Sequence, residues 1–481
     1  MAPAPAFREK HRTFTKARIA GWDAVARLGG RRSAGGFYHK RLAQIYSHLI
    51  PPGMRVLEIG CGTGDLLAAV RPSLGVGIDF SRPAIARAAK KHPRLKFVLA
   101  DAHALPVAFT FHAIILSDLV NDLWDVQAML TGLDKCVDAR TRIFLNSYSR
   151  LWEIPLAAAS AAGLAATMLR QNWFTVQDVA NLLGLADVEV LRAWQEVLCP
   201  LRLPLVDMLC NKVLVKIFPF YALGLTNMIV AHPRRQAGTA PQNPLVSVIV
   251  PARNEAGNVE AIFSRVPDMG SGTELVFVEG GSTDNTRAAI EAAMAKFPKV
   301  QCSLIAQVGK GKGDAVRLGL SRARGDVLMI LDADLTVPPE DLPRFYDALV
   351  AGKGEFVNGV RLVYPMEKQA MQFLNGVANR LLSMLFSWLL GQPVRDTLCG
   401  TKAFWKQDYA DIAANRSYFG DFDPFGDYDL LFGAAKRNLK IVEIPVRYQE
   451  RTYGRTNISR WRNGFMLLRM VLFAMWKIKF V

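Results

Sequence analysis

Short apolar runs that stop abruptly at glycines or acids recur through this chain. VLEIG, GVGID, VSVIVPARNE, LVFVEGG and VLMILDAD all have this form. A run that is apolar on both faces and too short for a buried helix reads as a strand covered on both sides of a parallel sheet. Helix-period stretches lie between the runs. The alternation implies crossover connections and an α/β architecture.

The spacing predicts strands at 54–59, 75–79, 96–99, 112–116 and 141–146, with helices at 64–70, 82–91 and 125–136. An Ala-rich helix is expected over 151–170, then another helix and strands near 187–194 and 226–231. PRRQAGTAPQNP, residues 233–244, has no periodicity and reads as a linker. A fresh alternation follows, through strands in 244–251, 274–281 and 326–334. At 481 residues the chain exceeds one core. The expected organisation is a basic segment 1–36, a domain 37–232, the linker, a domain 245–456 and a basic amphipathic segment 457–481.

With 51% hydrophobic and 21% charged residues, the composition is that of a globular protein. The net charge of +17 gathers at the ends: ten Lys/Arg against Glu9 and Asp23 in 1–41, eleven against Glu443 and Glu450 in 430–481. Basic ends suit anionic lipid, phosphate-bearing substrates or a plain solvated face. No nucleic-acid motif or aromatic stacking pattern accompanies the charge, so no nucleic-acid partner is expected. Six cysteines without a CxxC pair fit reduced thiols in the cytoplasm. The first residues show no apolar signal-peptide core. The most apolar stretches fall short of the roughly 20 uninterrupted residues of a membrane span. Lys216 and Pro219 break 213–231, Arg380 breaks 371–391, and Arg469 and Lys477 break 464–481.

Within VLEIGCGTGD, Gly60, Gly62 and Gly64 allow a tight turn and close backbone approach to a ligand, with Glu58 just before them. Asp79 and Asp101 end the next two strands. A carboxylate after the second strand is placed to accept ribose hydroxyls. The set resembles motif I and the following acids of class I S-adenosylmethionine-dependent methyltransferases, across about residues 37–232. The resemblance implies a Rossmann-like sheet that binds S-adenosylmethionine through Glu58, Gly60, Gly62, Gly64, Asp79 and Asp101, the last at the adenine amino group. Asp118, Asn121, Asp122 and Trp124 follow the fourth strand, where such enzymes often line the acceptor site; they equally suit helix capping.

In the second half, Asp332-Ala333-Asp334 ends an apolar strand. Hard cations such as Mg²⁺ or Mn²⁺ bind through one or two carboxylates plus substrate phosphates. Lys310 and Lys312 sit among glycines at a helix start, a site suited to a diphosphate. With VSVIVPARNE and LVFVEGGSTDNT, this ordered set resembles family 2 glycosyltransferases of the GT-A, nucleotide-diphospho-sugar transferase fold. The resemblance implies that Pro251, Glu255 and Glu279 bound the nucleotide base and ribose. It also implies that Asp332 touches nucleotide and metal and that Asp334 ligates the metal. The usual aspartate pair is replaced here by Glu279-Gly280, while Asp284 remains in place.

NGVRLVYP, the stretch 379–405, FGDYDLL and IPVRYQERTYGRT look like dolichyl- and undecaprenyl-phosphate sugar synthases. By that resemblance Arg361 and Arg451 hold phosphates. Asn457 stands where a lysine is usual, leaving its charge to Arg455 or Arg460. Asp427 and Asp429 stand where sugar-acceptor members carry a base.

The expectation is a bifunctional transferase at the cytoplasmic membrane surface. One half moves a sugar from a nucleotide-sugar to a polyprenyl phosphate; the other transfers a methyl group to an unidentified acceptor. The apolar helix 379–391 suits either core or bilayer surface, and 461–481 suits membrane contact. The alternative is a glycosyltransferase acting on a sugar hydroxyl, with the methyltransferase-like half a non-catalytic binding module.

Overall fold

The computed structural model describes residues 5–28, 35–162, 171–234, 241–361, 373–418, 426–454 and 468–480. The chain divides into two compact units, Met1–Arg234 with Phe480–Val481, and Arg235–Lys479.

The first unit holds a seven-stranded sheet in the order β3-β2-β1-β4-β5-β7-β6. Its strands are β1 (Arg55–Ile59), β2 (Leu74–Asp79), β3 (Lys96–Leu99), β4 (Ala113–Ser117), β5 (Arg142–Tyr148), β6 (Val188–Glu196) and β7 (Thr226–Pro233). β1 to β5 pair in parallel, and β7 runs antiparallel between β5 and β6. The period-2 pattern decides which side chains share a core. Leu57, Ile59, Ile114 and Leu116 pack on one face, and Val56, Ala113, Ile115 and Phe144 on the other.

The second unit has a seven-stranded sheet in the order β10-β9-β8-β11-β13-β12-β14. Its strands are β8 (Val246–Ala252), β9 (Thr273–Glu279), β10 (Gln301–Ala306), β11 (Val327–Ile330), β12 (Phe356–Val360), β13 (Lys402–Trp405) and β14 (Ile441–Pro445). β8 to β11 are parallel, β13 is antiparallel to both neighbours, and β12 and β14 are parallel. β11 stops at Ile330, so Asp332 and Asp334 stand in the turn beyond its carboxyl end.

Some elements are shorter than the sequence implies. The helix expected over 125–136 is an α-helix only for Val126–Thr131, and Gly132–Cys136 tightens to 3₁₀. The Ala-rich helix runs Glu153–Ala161, and 163–170 lies outside the described residues. The basic N-terminal segment forms the helix Pro5–Leu28, with Arg18 and Ala26 buried.

The helix Phe373–Leu390 buries Phe386, Leu389 and Leu390 while Leu381 and Met384 stay exposed. Near the C-terminus Met470, Val471 and Ala474 are core, whereas Leu472 and Trp476 are exposed. Among the described residues no helix is long and apolar enough to cross a membrane.

Phe356 of β12 stacks on Phe404 of β13 with ring centroids 5.4 Å apart, both fully buried. Phe404→Ala is expected to destabilise the second unit by about 3–5 kcal/mol. Urea unfolding of that unit's transition measures it.

Candidate active sites

In the first unit the glycine turn leaves β1 and opens the helix Asp65–Ala69. Gly64 has φ +74°, and a Cβ there would fall 2.6 Å from the Phe97 ring. No other residue type satisfies both limits. Glu58 is buried behind the turn, its Oε2 accepting from Leu67 N at 3.0 Å, and burial raises its carboxyl well above the usual range. It props the turn from within.

Asp79 ends β2 and accepts from Gly62 N at 2.9 Å and Ser81 N at 2.8 Å; burial outweighs these bonds and raises its pKa. Asp101 accepts from His103 N at 2.9 Å and meets His103 Nδ1 at 2.7 Å, a pairing that lowers its pKa. His11 joins them in a group of possible metal ligands.

The residues after β4 separate by role. Asp118 sits at φ +53°, its Oδ1 accepting from Tyr38 OH at 2.8 Å and Asn146 Nδ2 at 2.6 Å. Burial raises its pKa, and Tyr148 stacks on Tyr38 at 5.8 Å. Asn121 is structural: it accepts from Tyr148 N and donates to Asn172 O. Asp122 is engaged by Arg18 and by Trp22 Nε1 of the N-terminal helix. Trp124 packs on His11 and Phe14 of the same helix. Asp23 of that helix accepts from Ser81 Oγ at 2.6 Å. The helix therefore crosses the carboxyl edge of β2, β3 and β4. The signal for this was in the sequence, since Phe14, Arg18, Trp22 and Ala26 recur every four residues.

In the second unit β8 and β11 lie side by side and their carboxyl ends deliver the acids. Asp332 pairs with Lys312 Nζ at 2.5 Å, from the start of the helix Lys312–Arg322. Burial opposes the charge on Asp332, but Lys312 holds its pKa below the ordinary value. Asp334 accepts from Thr336 Oγ1 at 2.8 Å and from Arg451 Nη2 at 2.6 Å. The other arm of Arg451 reaches Glu255 at 2.9 Å. Burial pushes the Glu255 carboxyl up to about 7, and Asp334 nearby adds to the rise against the pull of Arg451.

Glu279 accepts from Ser282 N at 2.6 Å, and Asp284 binds Thr286 N at 3.0 Å. Both carboxylates stay below their usual range: burial alone would raise them, and these bonds prevail. Pro251 is half-buried, Ala333 is buried, and Lys310 is exposed in the glycine turn.

The description "Glycosyl transferase family 2" matches residues 247–408, and "Methyltransferase domain" matches 56–139. Glycosyltransferase AglJ of Haloferax volcanii is 32% identical over 226 residues, covering 47% of this chain and 70% of that protein. This chain belongs to glycosyltransferase family 2. Undecaprenyl-phosphate 4-deoxy-4-formamido-L-arabinose transferase of Shewanella sediminis is 28% identical over 232 residues; the match covers 47% of this chain and 64% of that relative.

Among solved structures, glucosyl-3-phosphoglycerate synthase from Mycobacterium tuberculosis, with Mn²⁺, uridine diphosphate and glucosyl-3-phosphoglycerate, has a TM-score of 0.38 and 21% identity, covering 49% of this chain and 80% of that one. A possible histamine N-methyltransferase from Thermotoga maritima has a TM-score of 0.34 and 16% identity, covering 41% and 90%.

Within the glycosyltransferase unit, Asp427 and Asp429 are parted by one residue and by environment. Asp427 starts the helix Asp427–Lys436 and pairs at 2.6 Å with Lys402, whose side chain is fully buried. Asp429 turns to Arg416 at 3.1 Å and Arg317 at 3.5 Å, lining a cavity of about 150 Å³. Arg361 forms a two-pronged pair with Asp396 at 2.7 and 2.9 Å and packs over Tyr448. Arg455, Asn457 and Arg460 lie outside the described residues.

Lys402 was missed from the sequence because a lysine inside the strand LCGTKAFW carries no local mark of burial. The Asp332 and Asp334 oxygens are hard donors suited to a divalent cation. The Lys312 ammonium already stands against Asp332 as a stand-in charge, so the donor set fits such an ion.

Gly400 has no room for a side chain: a Cβ there would lie 2.2 Å from Asp332 Oδ2 and 2.6 Å from Lys312 Nζ. Gly400→Ala must displace that pair. Sugar-transfer kcat is expected to fall roughly 100-fold with circular dichroism unchanged; steady-state kinetics beside the far-UV spectrum checks this.

Proposed function

We propose that this chain is a bifunctional transferase. Its glycosyltransferase domain, residues 245–456, would transfer a sugar with inversion from a nucleotide-sugar to a polyprenyl phosphate. Its methyltransferase domain, 37–232, would transfer the methyl group of S-adenosylmethionine. The observation that carries the first activity is the interleaving of Asp332 with Lys312 and of Asp334 and Glu255 with Arg451 at one sheet edge. The match to an undecaprenyl-phosphate sugar transferase supports the acceptor class.

Asp332 and Asp334 would hold Mg²⁺ or Mn²⁺, which would neutralise the departing diphosphate when bound. Lys312 and Arg451 would then turn from the acids to phosphate oxygens, with Arg offering a two-pronged grip. Glu255, Glu279 and Asp284 would frame the nucleoside, with Glu279 and Asp284 acting through the turns they brace. Arg361, tied to Asp396, would shape the site from behind. A lipid phosphate is already anionic at neutral pH and needs no general base. The pairing of Asp427 with Lys402 suits that acceptor better than a sugar hydroxyl, since the carboxylate is already engaged by a buried ammonium. The exposed apolar residues of Phe373–Leu390, with Leu468, Leu472 and Trp476 near the C-terminus, would meet the bilayer surface from the cytoplasmic side.

For the methyltransferase domain, the support is the glycine turn with Asp79 gripped by Gly62 N at its mouth. Asp79 would accept the ribose hydroxyls and Asp101 the adenine amino group. The bound sulfonium supplies an activated methyl, so positioning is the chief demand on the chain.

Mass spectrometry of polyprenyl phosphates after incubation with a panel of nucleotide-sugars and Mg²⁺ tests the reading. A glycosylated product is expected from the native chain, and none from Asp334→Ala. S-adenosylmethionine binding, followed by calorimetry, should be equal in both; metal-independent transfer would contradict the metal assignment. Because Glu255 titrates near 7, kcat/KM for the donor should climb as pH rises through that value and the carboxylate forms. Glu255→Gln should flatten that limb in a pH–rate profile.

A further inference from the structure

Residues 197–225, between β6 and β7, bury selected polar side chains and expose many apolar ones. Asn211 is buried, its Oδ1 accepting from Cys199 N at 2.9 Å and its Nδ2 donating to Cys199 O at 2.8 Å. Arg41 donates to Asn211 O at 3.1 Å, and buried Lys216 pairs with buried Glu196. Val197, Val215 and Leu225 are core, but most of the apolar side chains between them face outward: Leu205 and Phe218 are each 76% exposed, and Met208 and Tyr221 are exposed too. Leu151 in the turn before the helix Glu153–Ala161 and Ile154 in its first turn extend the patch, joined to the insertion by Trp152 Nε1 donating to Leu223 O at 2.9 Å. Scattered apolar residues on a surface need no explanation, but a connected patch on a loop fastened by buried polar bonds marks an interaction face.

Strand register places the patch. Thr226 opens β7 opposite Tyr148, the last residue of β5, and Glu196 ends β6 opposite Thr226. The insertion and Leu151 therefore emerge at the carboxyl edge of the sheet, the edge that carries the glycine turn and Asp118. Exposed Arg150, Arg202 and Lys212 are interspersed with the apolar residues, against exposed Glu153 and half-exposed Asp207, in a chain of net charge +17. Apolar side chains mixed with basic ones match the interface of an anionic bilayer.

We propose that this face of the methyltransferase unit docks on an anionic membrane surface and turns the methyl-donor edge toward the lipid. On the methyl-transfer reading above, the methyl acceptor is then a lipid-borne molecule. This contact is separate from the apolar residues of the glycosyltransferase unit.

Hydrogen exchange on the full chain tests it, with phosphatidylcholine vesicles containing or lacking phosphatidylglycerol. Anionic vesicles should slow exchange several-fold in peptides covering 199–223 and 150–158. Leu205→Glu/Met208→Glu, at exposed positions, should abolish that local protection and weaken partitioning onto the vesicles roughly tenfold. The same variant should bind S-adenosylmethionine as the native chain does in calorimetry. Vesicle binding with 199–223 unprotected would overturn the proposal. So would protection that needs no vesicles and grows with protein concentration, since a second copy would then cover the patch. Protection by vesicles without S-adenosylmethionine binding would leave the docking face standing and remove the lipid-borne methyl acceptor.

Discussion

Crowding carboxylates at the end of a buried strand is electrostatically costly, and the glycosyltransferase unit is organised around meeting that cost. Glu255, Asp332, Asp334 and Asp427 are kept together because Arg451, Lys312 and Lys402 stand between them. At Asp332 burial works to raise the pKa and the Lys312 ammonium works to lower it, so the cation is what keeps that carboxylate charged. Other features follow from this arrangement. Gly400 is a glycine because the Asp332–Lys312 pair fills the space a side chain would take, and Gly426 approaches Gly313 closely enough that a Cβ would lie 2.9 Å from its Cα. Arg451 follows β14, the last strand among the described residues, so the site is complete only when this late segment has closed over β8 and β11.

The first unit treats its acids differently. Glu58 and Asp79 are held by backbone N–H groups instead of basic side chains. Backbone N–H groups fix each carboxyl in place without a neutralising side-chain cation, and burial raises both pKa values. An edge of that kind suits a ribose and a cationic sulfonium, whereas acids alternating with lysine and arginine suit a diphosphate and a metal ion. Two sheets of related architecture thus present opposite electrostatic characters at the same carboxyl edge.

The N-terminal helix shows how a charged segment takes on a structural part. Read by composition, 1–41 is a basic tail. Folded, Arg18 is buried against Asp122, and Phe14 and His11 flank Trp124. Asp122 was a candidate for the acceptor site, and that ion pair instead fastens the helix across the strand ends. Of the residues after β4, Asp118 combines a left-handed backbone with a hydrogen bond to Tyr38, which stacks on Tyr148.

What the sequence determined by itself was local. Apolar period and breaker residues marked β1 to β9 and β11, because an apolar run too short for a helix must end where the chain turns, whereas the half-exposed β10 carried no such run. The glycine turn, Asp79 and the Asp332–Asp334 pair were legible for the same reason: each is written within a few consecutive residues. Tertiary structure alone decided the pairings. It sent Asp427 to Lys402 and Asp429 to Arg416, committed Arg361 to Asp396, and turned the apolar side of 197–225 outward. Those outcomes depend on which distant side chains arrive at the same point, and an electrostatic or packing partner tens of residues away leaves no periodic trace in the chain.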